Sequence, residues 1–276
     1  MSRAQLLEGK CCVVTGGGSG IGAAAALDLC RHGAKVVVAD LNGDAAAAVA
    51  RDINEELPGQ CVSMRADVSS QADTVAMVDM CRRSFGAIHV FFANAGVLNK
   101  HVPIAEEPEE QFMRTLAVNT LSVFMAIKYA GQAIVQCGGG SIICTASIAA
   151  LRADLTPLQY TASKGAVLAM IKSANDRLMV DGVRVNAVVP GGVMTPLMLS
   201  VANNLEQEGL ELAGYDYKRF PPVDPAAIAN VVTFLASDLS SAVKGQAIKA
   251  DGGMTNSMGS QPYPSKKKPK APKAPK

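Results

Sequence analysis

The sequence predicts an α/β fold: a doubly wound parallel sheet in a single domain. Short β-branched runs alternate with longer alanine-rich segments of helical period as far as Thr255. Strand–helix repetition at this spacing implies a parallel sheet with right-handed crossovers. The apolar runs are mostly continuous rather than alternating, as expected of strands that are covered on both faces. A chain of 276 residues buries enough surface to need neither disulfides nor a structural metal.

The elements follow one another in order along the chain. The expected strands are 11–15, 35–39, 61–65, 90–93, 140–145, 183–189 and 247–250. The expected helices include 20–32, 43–57, 73–85, 108–136, 160–181 and 225–236. No internal repeat and no linker divides this body, so residues 1–260 are expected to form one domain. Residues 261–276 are a Lys/Pro-rich tail that cannot bury apolar surface and is expected to be disordered.

Positive charge is concentrated at the end of the chain. The net charge is +2, but the segment from Ser265 onward carries six lysines and no acids, which leaves 20 basic and 24 acidic residues elsewhere. This tail is either an electrostatic arm for nucleic acid, anionic lipid or an acidic protein surface, or a disordered extension. The body gives no reason to expect nucleic-acid binding.

Composition also bounds the location and the chemistry. No apolar run reaches the ~18 residues of a membrane span, and the first residues lack the apolar region of a signal peptide. The seven cysteines are scattered and none forms a C-x-x-C pair, which favours buried thiols in a reducing compartment. No H-x-x-H or H-E-x-x-H spacing is present. We therefore expect a cytoplasmic protein with no metal and no membrane contact.

A glycine-rich turn follows the first strand and opens the first helix. Glycines allow a tight turn and let backbone N–H groups approach a pyrophosphate, which then sits at the positive helix N-terminus. Because a doubly wound sheet binds ligands at the carboxyl ends of its strands, this turn predicts a dinucleotide site. The contacts are expected from Gly16, Ser19, Gly20, Ile21 and Gly22.

Polar residues follow the next three strands. Asp40 ends the second strand, where a carboxylate can accept from both hydroxyls of an adenosine ribose and repels a 2′-phosphate. Its alternative role is to cap the next helix. Asp67 and Val68 follow the third strand, where they could read the adenine edge, and Asn94, Ala95 and Gly96 follow the fourth, beneath the ribose. The expected cofactor is NAD rather than NADP.

The residues suited to proton transfer lie in the middle of the chain. Tyr160 and Lys164 are four residues apart and share one helix face. Ser147 stands just beyond the fifth strand. Asn119 interrupts an otherwise apolar helical segment, and a buried amide there needs hydrogen-bond partners. A structural amide is the alternative to a catalytic one.

These motifs, taken in order, resemble those of the short-chain dehydrogenase/reductase family. The set is Thr-Gly-x-x-x-Gly-x-Gly, Asn-Ala-Gly, Asn119, Ser147, Tyr160-x-x-x-Lys164 and Pro190-Gly191, and the resemblance runs from about residue 9 to residue 255. It implies a Rossmann fold. The family often has Asn before Asn-Ala-Gly, where this chain has Ala93, a position that supports the strand end rather than the chemistry.

The resemblance also implies a role for each matching residue. Tyr160 would be the acid/base, Lys164 its partner and a ligand of the nicotinamide ribose, and Ser147 the donor to the substrate oxygen. Asn119 would hold a relay water. Val193 and Thr195, beyond Pro190 and Gly191, would contact the nicotinamide carboxamide.

The physical chemistry of a tyrosine base agrees with this assignment. Lowering the pKa of a tyrosine from about 10 to near 7 takes about 4 kcal/mol. One ammonium about 4 Å away supplies roughly that energy at an effective dielectric constant near 20, so Lys164 together with the positive charge of the nicotinamide is sufficient in magnitude. The family resemblance also implies that the segment between residues 195 and 221 is a lid that closes over the nicotinamide. The alternative is an amphipathic helix pair that packs permanently on the core. The pocket is expected to be mainly apolar and to take a neutral secondary alcohol or ketone.

The leading hypothesis is an NAD-dependent oxidoreductase that interconverts a small-molecule secondary alcohol and a carbonyl compound. The alternatives are an NAD(H)-binding scaffold or sensor with the basic tail as interaction arm, and an adaptor in which the tail carries the function. The two long helices, 108–136 and 160–181, carry more apolar surface than one sheet contact uses. Because the family pairs them between subunits, we expect a homotetramer, with a dimer as the alternative.

Overall fold

The computed structural model describes residues 5–100, 102–152, 156–200 and 221–256. Seven parallel strands form one sheet: β1 Cys11–Thr15, β2 Lys35–Asp40, β3 Cys61–Arg65, β4 Val90–Ala93, β5 Gly140–Thr145, β6 Val183–Pro190 and β7 Ala247–Ala250. Their order across the sheet is β3-β2-β1-β4-β5-β6-β7. The chain therefore reverses direction across the sheet between β3 and β4, and the predicted doubly wound fold is confirmed.

Helices cover both faces of the sheet. They are α1 Gly20–Arg31, α2 Gly43–Glu56, α3 Gln71–Phe85, an α4 that spans 109–136, α5 Leu158–Leu178 and α6 Pro225–Ala236. Helix α4 consists of Glu109–Leu116, Ala117–Leu121, Ser122–Met125, Ala126–Ala130 and Gly131–Gln136, of which the second and fourth segments have π-type turns. Single 3-10 turns occur at Ile104–Glu106, Ile148–Ala150, Met179–Asp181, Asp238–Ser240 and Met254–Asn256.

Local capping explains where the structure departs from the expected helix ends. Helix α5 begins at Leu158 rather than at residue 160, directly after Pro157, whose ring fixes φ near the value that a helix start requires. Its α-helical part ends at Leu178, and the following 3-10 turn is closed by Gly182 at a φ of 79°. Helix α3 begins two residues earlier than expected because the Ser70 side chain accepts from an N–H of the first turn.

The sheet divides the core into two apolar layers, since successive strand residues point to opposite faces. Phe91 packs in the layer under α3, α4 and α5, and its neighbour Phe92 packs in the layer under α1 and α6. Ile142 and Ile143 divide between the two layers in the same way. All four side chains are buried, which explains why the sequence shows continuous rather than alternating apolar runs.

Two predicted segments lie outside the described residues: the Lys/Pro-rich tail, within 257–276, and most of the segment expected to close over the pocket, at 201–220. The part of that segment that is described, 196–200, begins a helix. All seven cysteines are free thiols, and six of them are buried. Within the described ranges, no helix is both long and apolar enough to cross a bilayer.

Two glycines provide a matched test of the packing. A Cβ at Gly140, the first residue of β5, would collide with the carbonyl oxygen of His89, whereas a Cβ at Gly165 within α5 meets no neighbouring atom. We expect Gly140→Ala to lower the free energy of unfolding by about 1–3 kcal/mol, and Gly165→Ala to raise it by up to about 1 kcal/mol. Urea unfolding measures both. Equal effects of the two substitutions would contradict the β5 packing described here.

Candidate active site

One cavity of about 710 Å³ opens at the carboxyl ends of the strands. Its wall is formed by the turns that follow β1 to β6, together with residues of α4 and α5. The volume is in the range of small-molecule sites, roughly 300–1,000 Å³. The cavity lies beside β1 and β4, where the chain changes direction across the sheet and where doubly wound folds bind their ligands.

The glycine-rich turn leaves the N-terminus of α1 open toward the cavity. Gly16 and Gly20 have φ angles of 61° and 52°, which favour glycine. A Cβ at Gly22 would collide with the carbonyl oxygen of Gly16, so the turn closes tightly on the helix. The side chain of Ser19 does not cap α1, whereas α2 and α3 both have side-chain caps. The first N–H groups of α1 therefore remain for an anion such as a pyrophosphate, and the turn fits this group.

Asp40 ties this turn to the end of β2. Its Oδ2 accepts from the backbone N–H of Gly18 at 2.9 Å, and its Oδ1 accepts from that of Asn42 at 2.9 Å. The cap of α2 is Asn42, whose Oδ1 accepts from Ala45 at 3.1 Å, so the alternative that Asp40 caps this helix is wrong. Asp40 is half-buried in the cavity wall. Each of its oxygens keeps a lone pair for a ligand hydroxyl.

The wall after β3 carries a second carboxylate. Asp67 Oδ1 accepts from the backbone N–H of Ser69 at 2.8 Å and from its hydroxyl at 2.7 Å. These bonds, followed by the charges of Arg65 and Arg114, hold the pKa of Asp67 below its usual value. The side chain is therefore ionised at neutral pH. Val68 lines the cavity beside it.

Asn94 joins the ends of β1, β4 and β5 beneath the cavity. Its Nδ2 donates to the carbonyl oxygens of Thr15 at 3.0 Å and of Gly16 at 3.4 Å. Its Oδ1 accepts from the Thr145 hydroxyl at 3.1 Å. A Cβ at Gly96 would lie only 3.4 Å from the Nζ of Lys164. The Asn-Ala-Gly motif thus connects three strand ends and lets the backbone pass close to that lysine.

Ser147, Tyr160 and Lys164 meet at one wall of the cavity. Ser147 is close enough to the Tyr160 hydroxyl to favour its ionised form, and the Nζ of Lys164 lies 5.7 Å from the centre of the Tyr160 ring. Lys164 is only 3% exposed, and its Nζ donates to the carbonyl oxygen of Thr145 at 2.8 Å. Oxygen and nitrogen groups of the kind needed for proton transfer are therefore brought together as the sequence predicts.

The side chain of Asn119 is fully engaged by the protein. Its Oδ1 accepts from the N–H of Val97 at 2.8 Å, and its Nδ2 donates to the Val97 carbonyl at 3.0 Å and to Ser163 Oγ at 3.1 Å. Ser163 Oγ donates to the carbonyl of Tyr160 at 2.7 Å. Asn119 is buried in the first π-type segment of α4 and does not line the cavity. These contacts agree with the alternative prediction that the Asn119 side chain is a structural amide rather than a catalytic one.

Burial dominates the titration of the tyrosine–lysine pair. Loss of hydration raises the pKa of Tyr160, and the nearby hydroxyl of Ser147 opposes this rise. The same cause lowers the pKa of Lys164 from 10.5 to about 8. The spacing of Tyr160 and Lys164 in the sequence predicts that Lys164 lowers the pKa of Tyr160. In the structure, burial is the larger effect because the charged phenolate loses its hydration.

Nearly all of the predicted site residues line this single cavity. Those that line the cavity are Gly16, Ser19, Gly20, Ile21, Asp40, Asp67, Val68, Asn94, Ala95, Gly96, Ser147, Tyr160, Lys164, Pro190, Gly191, Val193 and Thr195. Gly22 and Asn119 stand behind the wall. The segment after β6 packs against the glycine-rich turn, since a Cβ at Gly20 would lie 3.0 Å from the Thr195 methyl group.

Several wall residues were not predicted from the sequence. They are Val97, Leu98, Arg114, Ala117, Val118 and Met254, among others. A partial signal exists for three of them, because positions 114, 117 and 118 have the i, i+3, i+4 spacing of one face of α4. Asn119 does not share that face and does not identify it. Met254 has no comparable signal because its place in the wall depends on the turn that follows β7.

Comparison with known proteins identifies the family. A family model described as enoyl-(acyl carrier protein) reductase matches residues 16–255. Short-chain dehydrogenase reductase 3b of Arabidopsis thaliana is 36% identical over 255 residues, which cover 90% of this chain and 96% of that protein. L-rhamnose-1-dehydrogenase of Scheffersomyces stipitis is 36% identical over 256 residues, which cover 90% and 97%. The crystal structure of levodione reductase matches with a TM-score of 0.85 at 27% identity, covering 91% and 100%.

The chain belongs to the short-chain dehydrogenase/reductase family. Members of this family are oxidoreductases that act on small molecules and use a nicotinamide cofactor, NAD or NADP. The family resemblance found in the sequence is confirmed.

The low pKa of Lys164 predicts a specific dependence of stability on pH. Its pKa is about 8 in the folded protein and 10.5 in the unfolded chain, so the unfolded chain binds more protons between these values and stability rises with pH there. Relative to Lys164→Met, the wild type should gain about 2 kcal/mol of unfolding free energy between pH 7 and pH 9.5. Urea unfolding at both pH values measures it. Lys172→Met, at an exposed position of α5, is the control. A constant difference between wild type and Lys164→Met would refute the burial of a titrating ammonium.

Proposed function

We propose that this protein is an NAD-dependent oxidoreductase that interconverts a secondary alcohol and a ketone by hydride transfer. One observation carries the proposal: a single cavity is lined by Tyr160, Ser147 and the buried Lys164, and Asp40 lies in another part of its wall. The first group suits proton transfer at a hydroxyl or carbonyl oxygen. The second suits the hydroxyls of an adenosine ribose.

Tyr160, Lys164 and Ser147 divide the proton chemistry among them. In oxidation, Tyr160 acts as general base and takes the proton of the substrate hydroxyl; in reduction it returns the proton. The positive charge of Lys164 favours the phenolate form that this base requires. Ser147, which lines the cavity together with Tyr160, is placed to donate to the substrate oxygen. The nicotinamide, when bound, accepts or supplies the hydride at the substrate carbon.

Asn119 is proposed to serve this reaction by positioning. Its amide fixes Val97 on one side and Ser163 on the other, and Ser163 fixes the backbone carbonyl of Tyr160. Because both amide hydrogens of Asn119 and its oxygen are engaged, the relay water that the family resemblance implies would be held by its backbone rather than by its side chain.

Asp40 supports NAD as the cofactor. Both carboxylate oxygens keep a free lone pair, and a negative charge at this position repels a 2′-phosphate. Among the described wall residues, the cations are Arg114 and Lys164, and neither adjoins Asp40 in the turns after β1 and β2. The remaining contacts would come from the open N-terminus of α1 for the pyrophosphate, and from Pro190 to Thr195 for the nicotinamide.

The wall composition supports a neutral substrate. Beside Tyr160 the cation of the wall is Lys164, which is buried and already donates to Thr145, so it is not available to a substrate carboxylate. The other cation of the described wall, Arg114, lies on the N-terminal part of α4. The apolar wall residues outside the cofactor motifs include Val97, Leu98, Ile148, Ala149, Leu197, Met198 and Met254. We therefore propose an apolar, uncharged secondary alcohol or ketone as substrate.

The organisation of the chain completes the proposal. We propose that residues 1–260 form the enzyme domain, that residues 261–276 are a separate tail, and that the protein acts in the cytoplasm as a homotetramer. Exposed apolar side chains on α4, at Met113, Leu121 and Phe124, support pairing of this helix between subunits.

Substitution of the tyrosine tests the proposed role directly. We expect Tyr160→Phe to lower kcat by about 10²- to 10⁴-fold, because the general acid/base is removed, while NADH affinity stays unchanged. Steady-state kinetics and calorimetry measure the two quantities. Tyr129→Phe on α4, outside the cavity wall, is the matched control. Near-normal turnover by Tyr160→Phe would exclude the proposed mechanism.

Substitution of the ribose carboxylate tests the cofactor. Asp40→Ala should weaken NADH binding by about 10- to 100-fold, because charge-assisted hydrogen bonds are lost. It should also reduce the preference for NADH over NADPH. The control is Asp79→Ala, at an exposed position of α3. The assignment of NAD is wrong if the unmodified protein prefers NADPH in the same titrations.

A further inference from the structure

An arginine that was not predicted as a site residue lies in the wall of the cavity. Arg114 lies on the N-terminal part of α4, and it lines the cavity together with Ala117 and Val118. The spacing i, i+3, i+4 places the three residues on one helix face. The face is therefore turned toward the site, and its one cationic member extends into it. None of these three residues belongs to the motifs by which the family is recognised.

The position of Arg114 along the cavity is set by its neighbours. Its charge acts on the carboxylate of Asp67, in the turn after β3. Arg114 lies five residues before Asn119, in the N-terminal α-helical part of α4. Arg114 thus belongs to the same part of the wall as Asp67, which is the part assigned to adenosine.

The charges of the wall show what Arg114 does there. The described wall contains two carboxylates, Asp40 and Asp67, and two cations, Arg114 and Lys164. Lys164 is buried and donates to Thr145. Arg65 also acts on Asp67 but does not line the cavity, so Arg114 is the cation of the wall itself that offsets the two carboxylates. These carboxylates would face a ligand whose pyrophosphate is itself negative.

Arg114 is also available to a ligand. Its side chain is exposed, and its guanidinium forms no hydrogen bond or ion pair with another described residue. A guanidinium is planar, stays charged at every physiological pH, and stacks on aromatic faces such as a nucleobase. A guanidinium beside an apolar helix face (Ala117 and Val118) is suited to one face of a flat heterocycle.

We propose that Arg114 binds the adenine ring of the dinucleotide, stacking its guanidinium on the ring and balancing the two carboxylates of the adenosine subsite. The inference rests on the proposed function, since it assumes that the cavity takes an adenine dinucleotide. It assigns to α4 a second role besides the one of Asn119, and it makes Arg114 a determinant of cofactor affinity rather than of the chemical step.

The test separates the two halves of the cofactor. ADP-ribose carries the adenosine half, and reduced nicotinamide mononucleotide carries the other half. By calorimetry, Arg114→Gln should raise the Kd of ADP-ribose about five- to tenfold and leave that of the mononucleotide within twofold. Arg114→Lys keeps the charge but loses the planar guanidinium, so its Kd for ADP-ribose should lie between those of wild type and Arg114→Gln. Arg83→Gln, an exposed arginine on α3 outside the wall, should match wild type.

Two results would overturn the inference. One is an ADP-ribose Kd for Arg114→Gln within twofold of the wild-type value. The other is an equal loss of affinity for both half-ligands, which would place the effect outside the adenosine subsite. Either result leaves the proposed function intact, because the unmodified chain still binds ADP-ribose. Failure of the unmodified chain to bind any adenine ligand would instead overturn the proposed function together with this inference.

Discussion

The hydrogen bond from the Lys164 ammonium to the carbonyl oxygen of Thr145 is the contact on which the rest of the site depends. A cation that is 3% exposed loses most of its hydration, and this carbonyl is the group that replaces it. The Thr145 hydroxyl donates to Asn94, and Asn94 donates to the carbonyl oxygens of Thr15 and Gly16. A continuous chain of hydrogen bonds therefore runs from the catalytic helix to the glycine-rich turn.

A second chain of hydrogen bonds holds the same helix from the other side. It passes from Val97 to Asn119, from Asn119 to Ser163, and from Ser163 to the backbone of Tyr160. Both chains pass through the segment that follows β4, where the strand order reverses and parallel strand ends diverge to leave a crevice. The same segment thus contacts both the glycine-rich turn and the helix that carries Tyr160.

The electrostatics of the protein differ from what two isolated side chains would give. The positive charge of Lys164 favours the phenolate of Tyr160. Burial of Lys164, however, lowers its own pKa to about 8 and so weakens its hold on that charge. Tyr160 is also desolvated, and burial raises its pKa. Burial therefore disfavours the charged form of each side chain, whereas Ser147 favours the phenolate of Tyr160 and the bond to Thr145 stabilises the ammonium of Lys164.

The sequence predicted the sheet and most of the wall because both depend on local patterns. Continuous β-branched runs identified all seven strands to within one residue, and the strand ends then identified residues such as Asp40 and Ser147. Three features escaped prediction. The π-type turns of α4 are set by packing, which no periodicity reveals. The partners of the Asn119 amide, and the place of Arg114 in the same cavity wall as Asp67, depend on contacts between segments distant along the chain.

The central claim is that this cavity binds a nicotinamide dinucleotide and selects it by the carboxylate of Asp40. Calorimetric titration of the full chain with NADH and, separately, with NADPH tests that claim most directly. We predict saturable binding of one NADH per chain, with an affinity at least about tenfold above that for NADPH. Tighter binding of NADPH, or no binding of either nucleotide, would contradict it.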